Sequence, residues 1–272
     1  MLAVVTGASS GIGTAFARKL ARKGYDLLLV ARREDRLQSL AREIRESCHV
    51  KAEVFPADLA SAAGREKLAQ VLEASTDLSL LVNNAGFGTN GYFFETDVNQ
   101  QIEMHELHVV ATVRLCHAAI QNWTRRGNSG RYGIINVSSI AAFSSAPLNA
   151  SYCSTKRWMN GFTEALAMEL RGTAKQITMQ ALCPGYTLSE FHDKLHMDRN
   201  RIPRSLWMTP DFVVDESLAA FENGTLFVIP GWRYKMLVGV MKSLPASVLR
   251  AATIRAVQRY RKKKADASEV RD

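Results

Sequence analysis

Short apolar runs recur along the first 230 residues, at Leu2–Thr6, Asp26–Ala31, Val50–Pro56, Leu78–Val82, Gly133–Ser138, Ile177–Cys183 and Thr225–Ile229. They are almost continuously apolar rather than alternating, the pattern of strands covered on both faces. Between most of them apolar residues return at helical spacing, as at Phe16, Leu20 and Ala21. Strand, helix, strand repeated in this way predicts an α/β fold, a doubly wound parallel sheet of about seven strands. The rhythm breaks over residues 186–224, which read as a lid insertion with short helices. Pro230 and Gly231 mark a turn, and a basic C-terminal helical tail, 231–272, follows. No internal repeat or low-complexity linker divides the chain, so 1–230 reads as one domain with its lid, and 231–272 as an extension of it.

Composition narrows the function classes. The chain has 272 residues, 47% hydrophobic and 22% charged, and a net charge of +9. Residues 231–272 hold 11 Lys/Arg and 3 Asp/Glu, whereas residues 1–230 hold 24 and 23. A nearly neutral body with a basic tail is not the body of a nucleic-acid-binding protein, which must meet many phosphates. Cys48, Cys116, Cys153 and Cys183 form no C-x-x-C pair, so they read as scattered thiols in a reducing, cytoplasmic setting. Met1 leads into Leu2-Ala3-Val4-Val5 without the basic leader of a secretory signal. The uncharged stretch Gly133–Thr155 is too rich in Ser and Asn, and holds Pro147, so it does not read as a membrane span.

Candidate chemistry begins at Thr6-Gly7-Ala8-Ser9-Ser10-Gly11-Ile12-Gly13, between the first strand and the first helix. Gly7 suits the tight turn, Gly11 lets a phosphate approach the backbone, and Gly13 lets the helix pack close to the strand. With Ser9, Ser10 and Ile12 this loop can present helix N-terminal N–H groups to a pyrophosphate. Three residues separate the first two glycines, which is not the usual dinucleotide spacing. Thr-Gly-x-x-x-Gly-x-Gly resembles instead the short-chain dehydrogenase/reductase family. The motifs that follow carry the same resemblance in family order: Asp58-Leu59, Asn83-Asn84-Ala85-Gly86, Ser139, Tyr152-Cys153-Ser154-Thr155-Lys156 and Pro184-Gly185. The resemblance spans about residues 2–230 and implies a Rossmann-like fold that moves a hydride to or from NAD(P).

Tyr152 and Lys156 stand four apart and share a helix face. A phenol titrates near about 10, so the expectation is that the Lys156 ammonium lowers it. Tyr152 would then give its proton to a carbonyl oxygen, and Ser139 would hold the same oxygen. Ser138, one residue inside the strand, would point the other way. Where the family usually carries an Asn serving a proton relay, Glu106-Leu107-His108-Val109 aligns with His108 in that place. An imidazole can relay protons or simply pack, and both readings stay open.

The resemblance implies that Asp58, Asn84, Ala85, Gly86, Pro184, Gly185 and Thr187 line the cofactor site, with Tyr152 and Lys156 also touching it. At the end of the second strand Ala31 cannot act as the carboxylate that holds a ribose hydroxyl, and Arg32 and Arg33 follow. A 2′-phosphate would suit Arg32 as the main discriminator, so NADP(H) is the expected cofactor. Glu34 and Asp35 fit the first turn of the next helix. Phe87, Tyr92, Phe93 and Phe94, with Tyr186, Phe191, Met197, Trp207 and Met208 of the lid, suggest an apolar pocket. His192 and His196 beside Glu190 and Asp193 have metal-ligand spacing, but the reaction needs none, so no metal site is assigned.

The function expected is an NADP-dependent reductase or dehydrogenase acting on a small carbonyl or secondary alcohol. The alternatives are a non-enzymatic NADPH-binding sensor or a membrane-surface scaffold that retains the fold. By resemblance the helices at Gln101–Trp123 and Ser151–Leu170 would build a homo-oligomer. In the tail, Pro245 opens a helical pattern with Leu249, Ala252, Ala256, Val257 and Tyr260 on one side. Arg250, Arg255, Arg259, Arg261 and Lys262 lie mostly opposite, Ile254 among them, and Lys263 and Lys264 extend the charge. Such a helix could make weak peripheral contact with an anionic membrane, but its narrow, Ala-rich stripe favours packing on the body or a second subunit.

Overall fold

A computed structural model describes residues 1–127, 130–191, 202–245, 247–251, 253–255 and 258. Seven parallel strands lie in the order β3-β2-β1-β4-β5-β6-β7. They are β1 (Leu2–Thr6), β2 (Asp26–Ala31), β3 (Ala52–Pro56), β4 (Leu78–Asn83), β5 (Tyr132–Val137), β6 (Ile177–Leu182) and β7 (Phe227–Val228). The helices between them are α1 (Gly11–Arg22), α2 (Glu34–Cys48), α3 (Ala62–Ala74), α4 (Val98–His105), α5 (Ala111–Arg126), α6 (Ala150–Thr173) and α7 (Pro210–Glu222). A further helix, α8 (Trp232–Ser243), follows β7.

Successive residues of a strand face opposite sides of the sheet. Val5, Leu29 and Val82 pack with Phe16, Leu20, Leu37 and Ile44 on one side. Val4, Leu81 and Ile134 pack with Leu68, Leu72, Leu115 and Trp123 on the other. Both faces are therefore dry, which is why the strands are apolar throughout. Strand order reverses between β1 and β4, and the crevice at such a point is where ligands bind in this architecture. The turn after β1 and the turn after β4 both open into it.

Three expectations are corrected. Residues 210–222 are not lid: α7 buries Val213, Val214 and Leu218 in the core beside α1, and Lys19 of α1 pairs with Asp215 at 2.8 Å. Thr209 caps this helix by accepting from Phe212 N, and Pro210 suits its first turn;. The helix expected after β4 is interrupted by a π turn at Glu106–Val110, between α4 and α5. The helical tail opens with α8, ahead of the helical pattern that begins at Pro245. From the tail stripe, Ala252, Ala256, Val257, Tyr260 and the cations from Arg259 onward lie outside the described residues. β1 and β2 have the expected bounds, the ends of β3, β4, β5 and β6 differ by one or two residues, and β7 is cut to Phe227–Val228.

Candidate active site

The loop after β1 is held by the loop after β4. Thr6 Oγ1 accepts from the N–H groups of Asn84 and Ala85 at 2.9 and 3.0 Å, and Asn84 Nδ2 donates to Thr6 O at 2.9 Å. Gly7 has φ +67°, and a Cβ there would lie 2.7 Å from Asn84 Nδ2. A Cβ on Gly13 would lie 2.2 Å from the Gly7 carbonyl oxygen, so α1 can start this close to β1 only without one. Ser10 sits extended at the N-cap and makes no side-chain capping bond, which leaves the first-turn N–H groups to face the cavity;.

The arginines divide their work differently from the expectation. Arg32 Nη1 pairs with Glu103 at 3.2 Å and is exposed. Arg33 lies over the glycine loop, donating from Nη2 to Ser9 Oγ at 3.1 Å and from Nη1 to Glu190 at 2.8 Å. Arg36 also pairs with Glu190, whose carboxyl is held below its usual range by Arg36 and then Arg33. Glu34 and Asp35 occupy the first turn of α2 as expected.

At the other end of the cavity, the first turns of α6 bring Tyr152 and Lys156 up to the end of β5. Ser139 is extended, with Oγ accepting from Ala141 N at 3.1 Å, whereas the Ser138 hydroxyl turns back to Lys156 O at 3.1 Å. Lys156 Nζ donates to Val137 O at 2.8 Å and lies 5.9 Å from the centre of the Tyr152 ring. The expected lowering of the Tyr152 phenol by Lys156 is not what this arrangement produces. Burial pushes the phenol up to about 12, against a smaller opposing pull from a hydrogen bond with Ser139. Burial brings the Lys156 amine down to about 8.

His108 is fully buried in the π turn. Phe87 N donates to His108 Nε2 at 3.2 Å, so Nε2 is unprotonated and Nδ1 carries the hydrogen;. Nδ1 lies 3.0 Å from Thr155 Oγ1, which itself donates to Tyr152 O at 3.0 Å. Both ring nitrogens are thus engaged by fixed partners. Burial first, then the charge of Lys156, holds the imidazole well below its ordinary value. A Cβ on Gly86 would stand 2.7 Å from Nε2, so the absent side chain at Gly86 makes room for this ring.

These groups line one cavity of about 530 Å³, within the size range of small-molecule sites;. Gly7, Ser9, Ser10, Gly11, Ile12, Arg32, Arg33, Asp58, Asn84, Ala85, Gly86, His108, Ser139, Tyr152, Lys156, Pro184, Gly185 and Thr187 all reach it, and Gly13 sits beneath it. Of the expected apolar lining, Phe87, Tyr186 and Phe191 take part, Phe191 at 5.6 Å from the Tyr152 ring. Phe93 and Phe94 are exposed instead, and Phe94 stacks on Tyr92 away from the cavity. Trp207 packs behind Tyr186, and Met208 packs on the core. Met197, His192, Asp193 and His196 lie outside the described residues, among which no group of His, Cys, Asp or Glu has a metal-binding arrangement. The sequence reading missed Leu237 and Met241 of α8, which also line the cavity, and Glu190 as the partner of two arginines. Tyr234 of α8 fills the space over Gly185, where a Cβ would meet its ring at 2.2 Å.

Comparison with known proteins agrees with this geometry. Residues 1–200 match the family model described as short chain dehydrogenase. Nodulation protein G of Rhizobium meliloti is 36% identical over 203 residues, which cover 74% of this chain and 79% of that one. A short-chain dehydrogenase from Sphingobium yanoikuyae, solved in complex with NADPH, superposes with a TM-score of 0.80 at 30% identity, covering 90% of this chain and 96% of its own. The bulky-bulky ketone specific alcohol dehydrogenase from Comamonas testosteroni gives a TM-score of 0.76 at 29% identity, covering 90% and 95%. With the family model matching residues 1–200 of 272, beside the motifs and the sheet order already described, this chain belongs to the short-chain dehydrogenase family.

Proposed function

We propose that the chain is an NADP(H)-dependent oxidoreductase acting on a carbonyl or secondary alcohol of apolar character, with Tyr152 as its proton donor. The observation that carries this reading is that Tyr152, Ser139 and Lys156 meet at one end of a cavity whose other end is the glycine loop. The residues present fit a dinucleotide. The uncapped start of α1 and the side-chain-free surface of the loop suit a pyrophosphate, and Arg33 and Arg36 already converge on a carboxylate, as they would on a 2′-phosphate;. The Sphingobium neighbour's complex with NADPH supports the same choice. When bound, the nicotinamide supplies or takes up the hydride.

In the reducing direction Tyr152 donates its phenolic proton to the substrate oxygen while Ser139 donates a hydrogen bond to that oxygen. A phenol raised to about 12 is protonated at neutral pH, the form a reduction uses. Lys156, with its amine near 8, remains mostly charged at neutral pH beside Tyr152. His108 is a positioning residue: with both nitrogens engaged, it ties the Tyr152–Thr155 turn of α6 to Phe87. Phe87, Phe191, Leu237 and Met241 give the substrate an apolar wall. The exposed Ile102, Val110 and Val113 of the α4–α5 face, with Met168 of α6, suit a homo-oligomer.

A panel of ketones and alcohols read by nicotinamide absorbance tests the reaction. Tyr152→Phe is expected to lower kcat by at least ~10²-fold while NADPH still binds. An unchanged kcat in that variant would overturn the assignment.

A further inference from the structure

Helix α8 turns only part of itself inward. Tyr234 and Val238 are 3% and 2% exposed, whereas Trp232, Met236 and Val240 are 61%, 61% and 55% exposed. The exposed three stand four apart and form one apolar row along the helix. At helical spacing Arg233 falls on one flank of this row, over the Trp232 ring at 4.8 Å, and Lys235 on the other, while the Lys242 ammonium turns to the Phe143 ring at 5.0 Å;. Leu244 and Val248, 41% and 48% exposed, continue the apolar surface beyond the helix. Leu237 is both exposed and part of the cavity wall, so it stands at the rim, and Met241 lies one turn further along the same wall.

Three partners could cover such a row: a second copy of the chain, another protein, or a lipid surface. Charge separates them. Between Gly231 and Ala265 the chain has ten Lys/Arg and no Asp/Glu. Glu216, on α7, pairs with Lys235 at 3.3 Å and offsets one of these cations. A two-fold contact would set this positive segment against its own copy, which is repulsive. An anionic lipid surface presents the complement, with each near-surface cation adding to the attraction. No single helix among the described residues is long and apolar enough to cross a membrane. A short helix with an aromatic residue at one end and cations flanking an apolar row suits the plane of the lipid–water boundary, where Lys and Arg reach outward to headgroups.

We propose that α8 docks this protein on an anionic lipid surface, with Trp232, Met236 and Val240 in the headgroup–acyl boundary. The cavity rim at Leu237 then faces lipid. For the reaction proposed above, this orientation admits an apolar substrate directly from the lipid phase. The docking itself does not depend on that reaction.

The test uses the full chain and needs no substrate, so its failure and the failure of the proposed reaction are distinguishable. Vesicles of phosphatidylcholine alone and of phosphatidylcholine with phosphatidylserine are sedimented with the protein at low and high salt. Binding to the anionic vesicles, weakened by salt, is expected, with tryptophan emission quenched by brominated acyl chains. Trp232→Phe is expected to remove that quenching while binding persists. The triple variant W232S/M236S/V240S is expected to lose at least tenfold in partitioning with an unchanged melting temperature, since these side chains are exposed. Three results would overturn the proposal: no binding to anionic vesicles at low salt, binding by the triple variant equal to that of the unsubstituted chain, or a dimer that the triple variant turns into a monomer with neither form binding vesicles.

Discussion

His108→Asn separates a neutral structural imidazole from a titrating relay, through the pH dependence of stability. In the folded chain His108 is buried between Phe87 N and Thr155 Oγ1, and burial holds it well below its ordinary value. In the unfolded chain it titrates near about 6.5. As pH falls the unfolded state therefore takes up the extra proton first. The stabilising contribution is present in full above about pH 6.5 and is lost as pH falls below that toward the folded value. This one residue's contribution therefore declines steadily as the pH falls through and below about 6.5. Asn does not titrate. At neutral pH the variant should be less stable by about 1 kcal/mol, because the shorter carboxamide keeps only one of the two hydrogen bonds. That deficit should shrink as the pH falls, since only the unsubstituted chain loses the His108 contribution. Urea unfolding of both proteins across about pH 7.5 to 5.5 measures the difference directly, and other histidines cancel in it. Parallel stability curves would refute the buried-neutral reading. The pH dependence of kcat should keep its shape in the variant, because a neutral ring with both nitrogens engaged by fixed partners passes no proton to the site. A changed profile would return His108 to the relay.

Arg33→Ala should weaken NADPH binding by about 10- to 100-fold, the equivalent of about 1.5–3 kcal/mol for hydrogen bonds to a charged group. NADH binding should change far less, and Arg32→Asp should add repulsion against the 2′-phosphate. Titration calorimetry that finds both coenzymes equally affected would remove the arginines as discriminators. Gly13→Ala should cost at least about 1–3 kcal/mol from overpacking, because its Cβ would fall 2.2 Å from the Gly7 carbonyl oxygen;. A melting temperature within about 2 °C of the unsubstituted chain would contradict that packing argument.

What the sequence determined by itself is what local pattern encodes. Strands dry on both faces must be apolar at every position, so β1, β2, β4, β5 and β6 could be read within a residue or so. The glycine loop could be read because its turn and the close approach of α1 admit no Cβ at Gly7 and Gly13. Tyr152 and Lys156 could be placed together because four residues on a helix make neighbours. Their titration could not, because burial, which pushes the phenol up and brings the amine down, is set by the tertiary structure.

The rest was decided only when distant segments met. Arg32 and Arg33 are adjacent in sequence, yet one pairs with Glu103 and the other reaches Ser9 and Glu190, and nothing local distinguishes them. The tautomer of His108 follows from Phe87 and Thr155, 21 and 47 residues away. The tail was readable as helical, but not which face of α8 is buried, because one face lines a cavity and the opposite face is an apolar row in the open. Hydrophobic periodicity reports burial, and where apolar residues lie on both the buried and the exposed side of a helix, only the tertiary structure can tell which is which.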